Sequence, residues 1–263
     1  MGKVIEKEWL RVLEQEEKLL RAAESRKEGK LEEFTGKLEE KIPAKLTATL
    51  NEAFYKAFLL IFEKGTGVIE KTFKGDELEL EFRVNDFRID QKASRRSIRK
   101  LEKAGRQSGL LNSCVTTAEG IGLGALGIGM PDIPVFLGML LKGIYETAAS
   151  YGVDYRKEEE QVLILRMIAA GLAQTYDIRQ KNASVEEWIS TIKVQSAECQ
   201  MDEEIRTASA ALSEAMLAAK FLQGIPVVGV IGGMSNPVIY RKILKYVSLK
   251  YKKRYLAEKR KGV

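Results

Sequence analysis

Apolar residues recur at helical spacing along most of the chain. The first 29 residues place scattered Trp and Leu side chains among many charges, which predicts a charged amphipathic helix. The segment AKLTATLNEAFYKAFLLIFEKG predicts a longer apolar helix that ends at Gly65 or Gly67. Further along, QVLILRMIAAGLAQ is apolar on nearly every side, which indicates a helix buried on all faces.

One segment departs from this periodicity. In GDELELEFRVNDFRID, Leu78, Leu80, Phe82 and Val84 alternate with charged residues, and a period of two favours an extended connector or a small hairpin. The following basic segment predicts a helix from about residue 90 to residue 119.

Helix ends are indicated by capping residues. Gly152 is placed for a left-handed helix C-terminus, and Asp154 for the N-cap of the helix that begins near three consecutive glutamates. Ser184 and Glu187 have the spacing of a capping box. Beyond them the chain predicts either one long helix or two helices broken near Asp202.

Composition agrees with a helical protein. The 263 residues contain five prolines and are 45% hydrophobic, enough for a sizeable core. We expect an all-α fold, a multi-helix bundle with two glycine-rich apolar helical hairpins. Residues 1–41 are predicted to form a charged helical extension, and residues 42–263 an all-α domain.

The chain contains no histidine, which excludes Ser-His-Asp and Cys-His catalysis and histidine-ligated metals. The two cysteines, Cys114 and Cys199, have no metal-ligand spacing. No cofactor or metal is therefore expected, and carboxylate or lysine chemistry remains the main enzymatic alternative. The start lacks the apolar core of a secretory signal, so we expect a cytoplasmic protein.

Positive charge is concentrated near the C-terminus. From Arg241 to Lys261 there are ten Lys or Arg residues and one acid, interleaved with tyrosines and an apolar stripe. This pattern suits a surface helix on anionic lipid, although a domain-closing helix with a solvated basic face is equally common. Nucleic-acid binding is less favoured, because no recognised motif accompanies the charge. The candidate lipid-binding residues are Arg241, Lys242, Lys245, Lys252, Lys253 and Arg254.

A second basic run extends from Lys92 to Arg106, with seven Lys or Arg residues against Glu102. A solvated helix face is the preferred interpretation of this run.

Two apolar segments are rich in glycine. The first, GIGLGALGIGMPDIPVFLGMLL, covers residues 120–141, and the second covers residues 224–240. The first contains G-x-G-x-x-G, but the preceding residues indicate a helix where a dinucleotide site needs a strand. A single membrane span is disfavoured, because Pro131 and Pro134 interrupt the segment at mid-length.

Asp132 is the single charge of the first segment. The simplest interpretation is an N-cap in a helical hairpin turn, and Asn236 before Pro237 repeats the arrangement. The alternative is a catalytic or metal-binding role in a carboxylate-based or metal-dependent hydrolase, with Glu146 and Asp154 as further acids.

The motifs MPDIP, ASYGVD, KEEEQ, GGMSNPVIY and KKRYL together resemble the EcsC family. The resemblance implies association with membranes and ABC transporters. It therefore favours a non-enzymatic, peripherally membrane-associated accessory protein, with an anionic membrane surface and a membrane protein as partners. The positions that match the family pattern are Gly120, Gly124, Pro131, Asp132, Pro134, Tyr151, Gly152, Asp154, Pro226, Gly229 and Asn236.

Overall fold

The computed structural model describes residues 2–25, 44–104, 132–175, 177–191, 200–222 and 236–262. Both glycine-rich hairpins predicted above lie largely outside these residues, and so do residues 26–41 of the predicted charged helical extension.

Within these ranges the chain forms ten α-helices and no strand, so the all-α prediction is confirmed. In chain order they are α1 (Gly2–Glu24), α2 (Ala44–Leu60), α3 (Thr66–Glu70), α4 (Gly75–Gln91), α5 (Arg95–Ala104), α6 (Asp132–Ser150), α7 (Glu158–Leu172), α8 (Asp177–Thr191), α9 (Met201–Leu222) and α10 (Asn236–Lys261).

Helices α6 and α7 form the centre of the bundle. Helix α7 packs against α8, α9 and α10, while α6 packs against α2 to α5 and α10. Every residue of α7 from Glu160 onward except Arg166 is buried, as its uniformly apolar sequence predicts. Helix α10 packs against both α6 and α7. Gly171 of α7 allows α7 and α10 to approach closely, since a Cβ there would lie 3.2 Å from the Cα of Ile243.

The segment predicted to be extended is helix α4, so that prediction was wrong. Leu78, Phe82 and Ile89 lie on its core-facing side, with Leu78 and Phe82 packed against the core and Ile89 fully buried. Leu80 and Val84 lie on the opposite side and are 63% and 43% exposed. Because apolar residues occupy two opposite faces of one helix, their order along the chain imitates the alternation of a strand.

Helix ends differ from the sequence prediction in detail. Helix α2 does not stop at Gly65 or Gly67, since it continues through a π-helical turn at Ile61–Gly65 into α3. The helix predicted from residue 90 to residue 119 is interrupted between Gln91 and Arg95. Helix α5 starts after Ser94, whose Oγ accepts from the backbone N–H of Ser97 while the Ser97 Oγ accepts from that of Ser94.

Two predicted N-caps were also wrong. Asp154 does not cap α7, because Lys157 occupies the N-cap and Asp154 Oδ1 accepts from the backbone N–H of Arg156 at 3.2 Å. Ser184 lies inside α8, where its Oγ accepts from Arg166 at 3.2 Å. Helix α9 begins beside the predicted break near Asp202.

Gly152 ends α6 as predicted, with φ of 71°. The N–H of Gly152 donates to Ala149 O at 2.9 Å and that of Val153 to Ala148 O at 3.0 Å, which together form a Schellman motif.

Helix α1 packs on the body of the molecule. It contacts α10 and α8, and it contributes Ile5 and Val12, which are 1% and 0% exposed, to the main core. Near its end, Leu20 and Ala23 pack with Ile178 in a smaller cluster. Residues 2–24 of the predicted extension are therefore part of the folded bundle.

Candidate functional site

Helix α10 is a central helix, and much of its positive charge is neutralised inside the molecule. Lys252 pairs with Glu102 and lies 3.6 Å from Glu8, while its side chain is 7% exposed. Lys253 Nζ lies 2.5 Å from Glu16 Oε2. Three of the six predicted lipid-binding cations are thus committed to partners within the chain, the third being Arg254.

The ion pair of Arg254 belongs to a buried network. Arg254 Nη1 donates to Glu160 Oε2 at 2.7 Å, and Tyr251 Oη donates to Glu160 Oε1 at 2.9 Å. Nearby, Tyr255 Oη donates to Asp86 Oδ1 at 2.8 Å. Burial and the adjacent carboxylates raise the pKa of both tyrosines, so they remain neutral hydrogen-bond donors. Both side chains lie in the core of the protein.

Lys250 is the most deeply buried charge of α10. Its side chain is 1% exposed and pairs with Glu16 of α1 and Glu186 of α8. Burial by itself raises the pKa of Glu186, but Lys250 and Lys253 outweigh it and lower this pKa below its ordinary value. Sequence reasoning missed this residue, because nothing in its neighbourhood along the chain distinguishes it from the other lysines.

The remaining predicted cations lie in the first half of α10. Lys242 Nζ donates to the carbonyl of Leu172 at 2.8 Å, a favourable place for a cation at the C-terminus of α7. Arg241 and Lys245 are exposed, and neither forms an ion pair in the described part of the chain.

The family-motif positions are divided between described and undescribed segments. Tyr151, Gly152 and Asp154 form the turn between α6 and α7, and Pro134 is buried in the first turn of α6. Asp132 and Asn236 begin α6 and α10, but their side chains are outside the described part, so their capping role stays a prediction. The others, Gly120, Gly124, Pro131, Pro226 and Gly229, lie outside the described residues.

Two of the acids named for a hydrolase, Glu146 and Asp154, have described side chains, and each lies near a different cation. Glu146 is 3% exposed within α6, with Lys142 Nζ at 3.9 Å from its Oε1. Asp154 lies in the turn beyond the end of α6, 3.8 Å from Arg156 Nη1. Among the described residues, no group of three or more acids and cysteines has a metal-binding arrangement.

Unpaired positive charge is found on α5. The positions of Arg96, Arg99, Lys100 and Lys103 fall within about 100° of arc on the helix, and all four side chains are exposed. The opposite side of α5 carries Ile98 and Leu101, both 0% exposed. Within the described part of the chain, none of the four cations forms an ion pair.

The neighbouring helix α4 presents an apolar stripe to solvent. Leu80, Val84 and Phe87 follow each other at helical spacing and are 63%, 43% and 65% exposed. They lie opposite the buried side of α4, which includes Asn85 and Ile89. We call the outward sides of α4 and α5 together the α4–α5 face. It combines exposed apolar groups and the acids Asp76 and Glu77 on α4 with cations on α5 that have no ion pair in the described part of the chain.

None of the described helices is both long enough and apolar enough to cross a membrane.

Comparison with known proteins agrees with the motifs noted in the sequence. No curated protein and no solved structure matches the chain significantly. The model of the EcsC protein family matches residues 6–256, from the first turns of α1 to Leu256 in the last third of α10. The match covers nearly all described helices, and the chain therefore belongs to the EcsC protein family.

Proposed function

We propose that this protein binds the surface of anionic membranes through its α4–α5 face, as a non-enzymatic accessory or regulator of a membrane system such as an ABC transporter. The observation that carries the proposal is the contrast between the two basic helices. Lys252, Lys253 and Arg254 on α10 are paired with internal acids, whereas the four outward cations of α5 have no ion pair in the described part.

The energetics require both components of the face. Four cations near an anionic surface contribute about 4 kcal/mol in total, which alone corresponds to roughly millimolar binding. Inserting an exposed Leu, Val or Phe side chain adds about 1.5–3 kcal/mol when burial is complete. Leu80, Val84 and Phe87 therefore convert a weak electrostatic attraction into stable, reversible attachment.

The proposal is tested by co-sedimentation with phosphatidylcholine vesicles that contain or lack phosphatidylglycerol. We expect binding only to the anionic vesicles, and a loss of more than tenfold in affinity when Arg96, Arg99, Lys100 and Lys103 are all replaced by Gln. The matched control replaces Lys3, Lys7, Lys45 and Lys71, which are exposed on other helices or turns, by Gln. It removes the same charge and should change affinity less than threefold.

Two further variants separate the contributions. Phe87→Ala should weaken binding severalfold without changing its dependence on salt, because it removes apolar contact only.

The double variant Arg241→Gln/Lys245→Gln tests the α10 surface indicated by the sequence. If this variant abolishes binding while the α5 variant retains it, the α4–α5 face is the wrong surface. If the wild-type protein ignores anionic vesicles at low salt, membrane binding itself is refuted.

A further inference from the structure

A cavity of about 600 Å³ lies beside α10, and none of the four outward cations of α5 is among its lining residues. Its volume is within the range of small-molecule sites, about 300–1,000 Å³. Helices α1 and α10 provide most of its lining, and the ends of α6 and α7, Glu102 of α5 and Ile178 of α8 complete it. Apolar side chains from three helices contribute much of the wall: Leu19, Ala22, Ala23, Ile178 and Leu249.

The charged residues of the lining are mostly cations. Lys242, Lys245 and Lys252 lie along one side of α10, over about 15 Å at 1.5 Å per residue. Lys18 of α1 adds a fourth positive charge. The acid in the lining is Glu102, and it is already paired with Lys252. The lining therefore contains more positive than negative residues, although Lys252 and Lys18 are paired with acids.

The lining is also divided by depth. Lys18 and Lys245 are exposed at the mouth, whereas Ile178, Leu249 and Ala23 are 1%, 8% and 9% exposed. Lys18 Nζ forms an ion pair with Glu14 Oε1 at 2.6 Å, whereas Lys245 forms no ion pair in the described part of the chain. A cationic mouth above apolar walls matches a ligand with a charged head and an apolar tail.

We propose that this cavity binds an anionic amphiphile with one acyl chain, whose carboxylate or phosphate head contacts Lys245 while the chain lies between α1 and α10. The volume fits a drug-sized molecule, which favours one chain over two. This site goes beyond the proposed membrane binding, because the residues that contact the ligand are not those that contact the bilayer.

The test measures binding of dodecyl phosphate and dodecanoate to the full chain, below their micellar concentrations, by displacement of a fluorescent fatty-acid probe. We expect saturable binding in the micromolar range for one or both anions. Dodecyl maltoside, with the same chain and a neutral head, should bind at least tenfold more weakly. Inorganic phosphate should not displace the probe. Equal binding of the neutral amphiphile, or displacement by phosphate alone, would overturn the assignment.

Variants locate the ligand. Lys245→Glu should weaken binding of the anions at least tenfold and leave dodecyl maltoside unaffected. Ala22→Trp, at an exposed position of the wall, should weaken all amphiphiles without unfolding the protein. The matched control is Lys261→Glu, an exposed cation of the same helix outside the cavity, which should change affinity less than twofold. If Lys245→Glu and Lys261→Glu behave alike, the site lies elsewhere.

The variant in which Arg96, Arg99, Lys100 and Lys103 of α5 are all replaced by Gln distinguishes this proposal from membrane binding. It should lose binding to vesicles and bind dodecyl phosphate as the wild type does. If it loses both, the cavity is not an independent site. If the wild type binds dodecyl phosphate but not vesicles, the cavity stands and the membrane proposal fails.

Discussion

At the scale of single residues, Gly152 has two separate reasons to be glycine. Its φ of 71° lies in the left-handed region that side chains with a Cβ rarely adopt. A Cβ on this residue would also lie 2.1 Å from Cε1 of Phe82 on α4. The position was predictable from the sequence as a helix C-terminus, but the contact with Phe82 was not, because it joins segments 70 positions apart.

The variant Gly152→Ala should lower the free energy of unfolding by more than 1 kcal/mol, since backbone strain and displacement of Phe82 add together. The matched control is Gly67→Ala, within α3, where an added Cβ meets no atom within 4 Å. This control should stabilise the protein by about 0.5–1 kcal/mol, the usual difference between Ala and Gly in a helix.

Urea denaturation measures both variants. Equal effects of the two substitutions would show that the turn at Gly152 does not hold α6 against α4. In a Phe82→Ala background the cost of Gly152→Ala should fall but stay positive, because the conformational strain remains.

Lys250 illustrates what sequence reasoning at this scale could not find. Its burial depends on Glu16 and Glu186, which are 234 and 64 positions away. The basic pattern around it is the same as that of an exposed helix. Only the packing of α1 on α10 and the ion pair of Lys250 with Glu186 of α8 show that the charge is internal.

At the scale of helices, α10 is held to α1 and α8 by ion pairs whose stability depends on pH. The unfolded pKa of Glu186 is near 4.5 and its folded pKa is lower. Its contribution to stability is therefore fully present above about pH 4.5 and is lost as the pH falls through the folded value. Lys253 has a raised pKa, so its contribution is present below about pH 10.5 and is lost on strong alkalinisation.

The variant Glu186→Gln should reduce the melting temperature at neutral pH, and the difference from the wild type should shrink as the pH is lowered from about 5 to about 3. The physical reason is that below its ordinary pKa of 4.5 Glu186 takes up a proton when the wild type unfolds, and this proton uptake reduces the stability that the charged side chain provides. Thermal melts monitored by circular dichroism across this range provide the measurement. Glu187→Gln, an adjacent acid without a resolved ion pair to α10, is the control and should show no such trend. A difference that does not vary with pH would assign the effect of Glu186 to packing.

Most helices were predictable from the spacing of apolar residues, and α4 is the helix for which this prediction was wrong. Alternation of apolar and charged residues is evidence for a strand, but a helix with apolar groups on two opposite faces gives the same order along the chain. In α4 both the core-facing and the solvent-facing sides carry large apolar groups, Phe82 on one and Leu80 on the other. The exposed stripe that misled the prediction is the same stripe that the proposed function uses.

At the scale of the whole molecule, opposite charges are neutralised in the interior and positive charge remains on α5. Raising the salt concentration from about 0.1 M to about 1 M shortens the screening length from roughly 10 Å to 3 Å. This change should weaken binding to anionic vesicles more than tenfold. It should change the melting temperature little, because pairs such as Arg254 with Glu160, at 18% and 4% exposure, are shielded from solvent ions.

Parallel vesicle sedimentation and thermal melts at the two salt concentrations test this separation. Arg96→Gln/Arg99→Gln/Lys100→Gln/Lys103→Gln provides the control, since its residual binding should be nearly independent of salt. A protein that melts at much lower temperature in high salt would show that surface charges, and not the interior pairs, maintain the fold.

The pairing of α1 with α10 also has a consequence during synthesis on the ribosome. Glu16 meets Lys250 only after 234 further residues have been added, which takes roughly ten to fifty seconds at ordinary translation rates. Until α8 and α10 have been made, the apolar side of α1, with Ile5 and Val12, lacks the two helices that it contacts in the folded protein. The nascent chain therefore exposes the apolar side of α1 for most of its elongation, and it should be a substrate for chaperones that bind such segments as they emerge.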